Sequence, residues 1–470
     1  MLFRLESDSI GEKQVPKSAY YGVQTLRASE NFRITGLTIH PQFIKALAEV
    51  KKATAITNMK AGILEKKISD AITKACDEII EGKLHDEFIT DPIQGGAGTS
   101  MNMNANEVIA NRAIEILGGE KGDYRIVHPN DHVNNGQSTN DVIPTAGKIA
   151  AVRLLKSMLE KLYKLHDVLL KKADEFDDII KMGRTQMQDA VPIRLGQEFY
   201  AYSKAVERDI KRIKSTSSNL LTVNLGGTAI GTGINADENY VKNIIPVLKE
   251  VTGLPIKQAE DLVDGTQNLD CYVEVSGVLK ACVVSLSKMA NDLRLMSSGP
   301  RCGFNEINLP PKQNGSSIMP GKVNPVIPEV VSQIAFNVIG NDMTITMAAE
   351  AGQLELNAFE PVLFYNLFES IDTIRNGVDT FIENCIEGIT ANKEHCRDLV
   401  FNSVGIITAI CPHVGYKKAA LIAKKAIKTG RSVTEIAIEE KVLSKENLDK
   451  ILHVYEMTMP GIAAKELLKR

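Results

Sequence analysis

Tryptophan is absent from this chain and aromatic residues make up only 5% of it, so the aromatic residues that favour strands are scarce. No basic block occurs either. Against 58 acidic residues stand 55 basic ones, for a net charge of −3, and nothing supplies the electrostatic footprint of a nucleic-acid binder. Seven cysteines, at positions 76, 271, 282, 302, 385, 396 and 411, form no C-x-x-C pair and are odd in number, which argues against a disulfide framework or a zinc knuckle. They read as reduced core thiols. No run of about 18 apolar residues exists to cross a membrane, and Arg4 and Glu6 interrupt the N-terminus before a leader could form. The expectation is a cytoplasmic protein with small-molecule or protein partners, and with neither nucleic acid nor membrane among them.

What is present is helical periodicity. Ala, Leu, Ile, Lys and Glu dominate the long periodic segments, and these are good helix formers. Apolar residues recur at Ala151, Leu155, Met158, Leu162, Leu165 and Leu169, a spacing that lays one stripe along a helix. The pattern returns from Val275 to Met296, ending at Ser298-Gly299-Pro300, and again from Leu363 to Cys385. Weaker versions span Phe199 to Ile213 and Pro328 to Met347. Five long helices with seams of this kind pack lengthwise and keep apolar stripes for other subunits.

The fold class expected is therefore mostly α. A chain of 470 residues accommodates two or three domains, and we divide it into an N-terminal domain (1–139), a central long-helix bundle (140–393) and a small helical C-terminal domain (394–470). In the last, Ser432-Val433-Thr434-Glu435 reads as a capping box and Ser444 as an N-cap. The run from Tyr20 to Phe32 reads as a packed turn, with Arg27 structural rather than substrate-binding.

Four polar stretches do not read as core. Residues 315–325, Gly-Ser-Ser-Ile-Met-Pro-Gly-Lys-Val-Asn-Pro, hold two glycines and two prolines, which forbid a regular helix or a central strand. Ser316 and Ser317 follow a glycine that permits close backbone approach, while Lys322 and Asn324 aim a cation and an amide at one place. This is a base candidate beside an anion-stabilising pair, although a plain Gly/Pro connector has the same composition. Residues 94–104 join Gly95, Gly96 and Gly98 to Thr99, Ser100 and Asn102, a loop feeding a helix N-terminus where backbone N–H groups make an anion site. A phosphate cradle is the rival, but the glycine spacing fits neither the P-loop nor the dinucleotide fingerprint.

Gln137-Ser138-Thr139-Asn140-Asp141 offers four capping residues where one suffices, and the excess suggests a donor-rich pocket for a carboxylate. Gly183 to Pro192, with Thr185 and Gln186, reads as a loop supplying uncharged donors. Between these, His128-Pro129-Asn130-Asp131-His132 raises the question of a metal. Pro129 opposes the helical spacing that would align the ligands, so a structured turn is expected.

These four stretches resemble, in order and spacing, the conserved regions of the aspartase/fumarase superfamily of lyases, and the resemblance covers nearly the whole chain. It implies Ser316 as catalytic base, assisted by Lys322, and an intermediate with an extra charge on one carboxylate. It further implies Thr99, Ser138, Thr139 and Asn140 as donors to that carboxylate, with Thr185, Gln186, Ser317, Lys322 and Asn324 around the rest of the substrate. A homotetramer is implied, with no required cofactor, divalent-cation activation in some members, and a secondary anion-binding turn in fumarases at the position of His128 to His132. The wording of residues 95–99, 189–192, 326–329 and 352–357 is that of the ammonia-releasing branch. Gln186 points the same way, since fumarases usually carry histidine there, paired with a glutamate matching Glu329.

Overall fold

The computed structural model describes residues 2–468, of which the majority, 63%, are helical, so the chain is mostly α as expected. It opens with an antiparallel hairpin, β1 (Phe3–Asp8) and β2 (Gly11–Pro16), that the sequence did not announce. The reason lies in inverted polarity: Phe3, Leu5 and Ile10 are exposed while Glu6 is buried. The Glu6 carboxylate accepts from Arg4 Nε at 2.7 Å, from Val23 N at 2.9 Å and from the Tyr124 hydroxyl at 3.0 Å.

Four helices follow: α1 (Val23–Asn31), α2 (Pro41–Lys60), α3 (Lys66–Ile80) and α4 (Thr99–Ile116). α1 has no side-chain cap of its own. Glu107 of α4 supplies one from outside, accepting N–H bonds from Gly22, Gln24 and Thr25 at 2.8–3.1 Å and the Thr25 hydroxyl at 2.5 Å. A side chain at Gly22 would come within 2.6 Å of the Tyr124 hydroxyl and 2.7 Å of the Glu107 carboxyl carbon. Arg27 is structural, donating to both Asp8 carboxylate oxygens and to the Gly11 carbonyl.

The long helix α5 runs from Thr139 to Glu175. It starts earlier than Pro144 would suggest. Lacking an N–H, Pro144 leaves the Asn140 carbonyl without its helical partner, and Asn224 Nδ2 donates to that carbonyl at 3.0 Å instead. Next come the hairpin β3 (Ile180–Thr185) and β4 (Gln188–Arg194), then α6 (Leu195–Ser217), α7 (Glu238–Thr252), α8 (Leu262–Gln267), α9 (Asp270–Met296), α10 (Val326–Glu350) and α11 (Glu360–Asn384). Six short helices occupy the stretch from Lys393 to Thr458. Every residue of the three strong stripes is buried, from Ala151 to Leu169, from Val275 to Met296 and from Leu363 to Cys385.

The chain divides into two compact units, Met1–Glu160 with Lys211–Ala281 and Phe336–Arg375, and Lys161–Ile210 with Cys282–Ala335 and Asn376–Arg470. In the first, Phe364 of α11 fits against Gly147 of α5, where a Cβ would lie 2.1 Å from the ring, and meets Tyr272 of α9 edge-on at 5.3 Å. Ser276 of α9 donates to Asp342 of α10 at 2.7 Å, and Asn341 of α10 to Ser370 of α11 at 3.0 Å. In the second unit, Tyr202 of α6 donates to Asp292 of α9 at 3.0 Å and Lys161 of α5 to Asp379 of α11 at 2.7 Å. A separate core there gathers Val400, Ile406, Ile410, Ile422, Ile436, Leu448 and Ile451. Ser432 and Ser444 act as N-caps, each accepting a backbone N–H three residues on at 3.2 Å. Among the described residues no helix is long and apolar enough to cross a membrane.

Candidate active site

In the first unit, α4 begins at Thr99 after Gly98, whose φ of +87° is a left-handed conformation that suits glycine. Its N-cap glycine offers no side chain, and Gln94 Oε1 caps the first turn from outside by accepting Met101 N at 3.2 Å, so the positive end of the helix stands beside an exposed Thr99. Thr99 Oγ1 donates to Gly96 O at 2.7 Å. One helix away, Ser138 caps α5, its Oγ accepting Asn140 N at 3.2 Å. Thr139 Oγ1 accepts Asn102 Nδ2 at 3.3 Å, and Asn140 Nδ2 donates to Ala229 O at 2.7 Å.

Of the four capping residues, Asp141 has a different task. It is fully buried and accepts N–H bonds from Ser138 at 2.9 Å and from Gly226 and Thr228 at 3.1 Å. Burial pushes its carboxyl up to about 6, against the lowering by those donors and by Lys51. It therefore ties the Ser138–Asn140 segment to the loop after residue 223.

In the second unit, Gly183–Pro192 is the β3–β4 hairpin and not a loop. Gln186 and Met187 form its tip, with φ of +53° and +63°, the pair of positive values that a two-residue hairpin turn requires. The base is clamped by charge: Arg184 donates to Glu306 at 2.7 Å, and Lys181 lies 3.0 Å from Glu198 and 3.4 Å from Glu306, which is completely buried. Thr185 and Gln186 stay exposed at the far end.

Residues 315–325 form the expected irregular loop, tied at its neck. Gly315 N–H donates to Lys322 O at 2.8 Å, and Asn324 Nδ2 donates to Gly315 O at 2.7 Å. Within it, Ser316 Oγ accepts the N–H groups of Ile318 at 3.2 Å and Met319 at 3.0 Å. Two amide dipoles thus point at the oxygen, an arrangement that favours its anionic form. Ser317 and Lys322 are exposed, and Lys322 has no carboxylate partner among the described residues. Glu329 lies 3.9 Å from Arg294.

Thr99, Ser138, Thr139 and Asn140 thus belong to one unit, and Thr185, Gln186, Ser316, Ser317, Lys322 and Asn324 to the other. The reading from sequence missed the supporting residues. Gly226, Gly231 and Gly233, all with positive φ, mark a loop whose glycine content was a signal; Lys51, Asn134 and Asn106 gave none. The His128 turn is self-contained: His128 Nδ1 accepts the N–H groups of Asn130 and Asp131, and His132 Nδ1 accepts that of His128. Among the described residues no group of three His, Cys, Asp or Glu side chains is placed to hold a metal ion.

The second unit thus carries a loop serine under two amide donors and a lysine with no carboxylate partner among the described residues, on a scaffold of long helices. Residues 11–340 match the family described as Lyase and residues 406–459 the Fumarase C C-terminus, and the chain belongs to this aspartase/fumarase superfamily. Within it, the chain is 58% identical to a protein of Bacillus subtilis named aspartate ammonia-lyase, over 100% of this chain and 98% of that one. An aspartate ammonia-lyase of Helicobacter pylori is 54% identical over 97% of this chain and 98% of its own. A solved fumarate lyase:delta crystallin from Brucella melitensis, bound to cobalt, superposes with a TM-score of 0.95 at 48% identity, covering 98% of this chain and all of that one. A class II fumarase from Schistosoma mansoni superposes at 0.92 and 36% identity, with the same coverage.

Proposed function

We propose that this protein deaminates L-aspartate reversibly to fumarate and ammonia. The observation that carries the reading is the end-to-end identity, up to 58%, with proteins named aspartate ammonia-lyase. Ser316 removes the proton beside the carboxylate. A serine is a poor base unless its oxyanion is stabilised, and the amides of Ile318 and Met319 aimed at Oγ support that role. The intermediate bears a second negative charge on one carboxylate, met by fixed donors: Thr99, Ser138, Thr139, Asn140 and the N-terminus of α4. Thr185, Gln186, Ser317, Lys322 and Asn324 hold the remainder of the substrate. Lys322 also compensates the charge that develops.

The leaving group decides between sister reactions. Ammonia departs neutral and needs no acid, so Gln186 suffices where a hydrating enzyme would use a histidine. No organic cofactor enters the chemistry, and no step passes through a metal. The enzyme assembles as a homotetramer whose sites combine segments from more than one chain. The apolar stripe of Phe336, Ile339, Met343 and Met347, exposed along α10, supports self-association. The bundle of 140–393 serves as assembly scaffold, with 1–139 and 394–470 as flanking parts. Seven thiols, none of them paired, suit a reducing cytoplasm. The deciding measurement follows fumarate's ultraviolet absorbance with L-aspartate and L-malate in turn. Faster release from L-malate would overturn the assignment in favour of a fumarase.

A further inference from the structure

Lys51 in α2 is 0% exposed, in a position where an apolar side chain would carry no desolvation cost. Its ammonium donates to Asn134 Oδ1 at 2.8 Å and to Gln137 Oε1 at 2.9 Å. No carboxylate forms an ion pair with it among the described residues. The groups facing it electrostatically are the buried Asp141 carboxyl and the buried Cys76 thiol, and Asp141 in turn acts on the buried Tyr240 phenol. Burial pushes the ammonium down to about 7, the Asp141 charge opposing.

The two amides it grips are not scattered. Asn134 Oδ1 also accepts Asn102 Nδ2 at 3.1 Å and Asn106 Nδ2 at 3.2 Å, both from α4, and Asn134 Nδ2 donates to Gln137 O at 3.2 Å. Asn102 continues to Thr139 Oγ1 at 3.3 Å. An acceptor that collects three donors is held by the cation among them. The network reaches Thr139 directly and Ser138 through its chain neighbour Gln137, joining the segment to the first turns of α4.

We propose that Lys51 is a positioning residue, whose ammonium fixes, through Asn134 and Gln137, the Ser138–Asn140 donors where the second negative charge of the intermediate develops. The inference rests on the role given to those donors under the proposed function. Donors held in place matter most to the species carrying the extra charge, so loss of Lys51 penalises that species more than the ground state.

Lys51→Met keeps the stem and removes the charge. Two probes separate ground state from intermediate: succinate, an ordinary dicarboxylate, and the nitronate of 3-nitropropionate, whose charge sits where the intermediate's would. Binding of each is measured by calorimetry, with folding checked by circular dichroism. We expect nitronate affinity to fall at least about tenfold and succinate affinity by less than about threefold, with kcat falling in step with the nitronate. Partial unfolding weakens both probes by the same factor, so mere destabilisation cannot reproduce this ratio. Equal weakening of both probes, or no change in either, overturns the proposal. Should Lys51→Met not fold, Gln137→Met removes one acceptor of the same ammonium and must give the same ratio or refute it. Because binding needs no turnover, the test stands even where wild-type protein releases fumarate faster from L-malate, a result that would refute the assigned substrate and not the role of Lys51.

Discussion

Replacing Ser316 by alanine removes one oxygen from a loop that is open to solvent, with Ile318 beside it 84% exposed. In the folded protein that oxygen accepts the N–H groups of Ile318 and Met319. Without it, both amides bond to water, so the folding cost is at most about 1 kcal/mol, and the melting temperature of a chain this large shifts by no more than about 2 °C. The chemical cost is of another order. Losing a positioned base lowers turnover by roughly 10²–10⁴-fold, and here the upper end applies because Ser316 Oγ is the oxygen on which the Ile318 and Met319 amides converge. That corresponds to about 5 kcal/mol of barrier. Continuous recording of fumarate absorbance on the purified variant, beside a thermal melt of the same sample, separates the two effects. Turnover within tenfold of wild type would refute the assignment of Ser316, and a collapse of the melt would show that the loop has a structural duty instead.

Mixing Ser316→Ala and Thr99→Ala chains under conditions of subunit exchange should restore part of the lost activity, since sites built from several chains regain one intact set; verified mixed tetramers without recovery would place each site within one chain. Glu107, whose carboxyl burial pushes from 4.5 up to about 6, binds its proton more tightly folded than unfolded. Its titration therefore contributes stability that is complete below about pH 4.5 and lost as pH rises through about 6, so the wild type should lose about 2 kcal/mol relative to Glu107→Gln across that window. A difference in unfolding free energy that stays flat over this range would count against it.

The long helices were legible because a 3-4 spacing is a direct record of which face is buried, and no residue from Ala151 to Leu169 in that stripe proved exposed. The candidate loops were legible through their excess of glycine, hydroxyl and amide residues over what caps and turns need. Strand pairing was not. In β1 the apolar residues point outward and Glu6 inward, so alternation gives the wrong face. The β3–β4 hairpin hid behind Gly183 and Pro192, and one of its anchors, Glu306, lies more than a hundred positions later. Lys51 reads as one half of a Lys51-Lys52 pair on a helix surface. Only the arrival of Asn134 and Gln137, some eighty residues on, distinguishes it from its neighbour, which pairs with Asp77 at 2.5 Å.

The neck at Gly315 has a bearing on how such a loop can change over generations. A Cβ there would stand 2.6 Å from the Lys322 carbonyl oxygen, so this position tolerates no side chain while the strap is closed. Ile318 and Met319, by contrast, project into solvent from the tip. Mutation is thus sorted by place: the tip can drift in bulk and polarity, altering what the loop covers, while Ser316 keeps its station because the knot beneath it does not register the change. Selection for a larger or less polar substrate would find its raw material at residues 318 and 319, and would find none at 315.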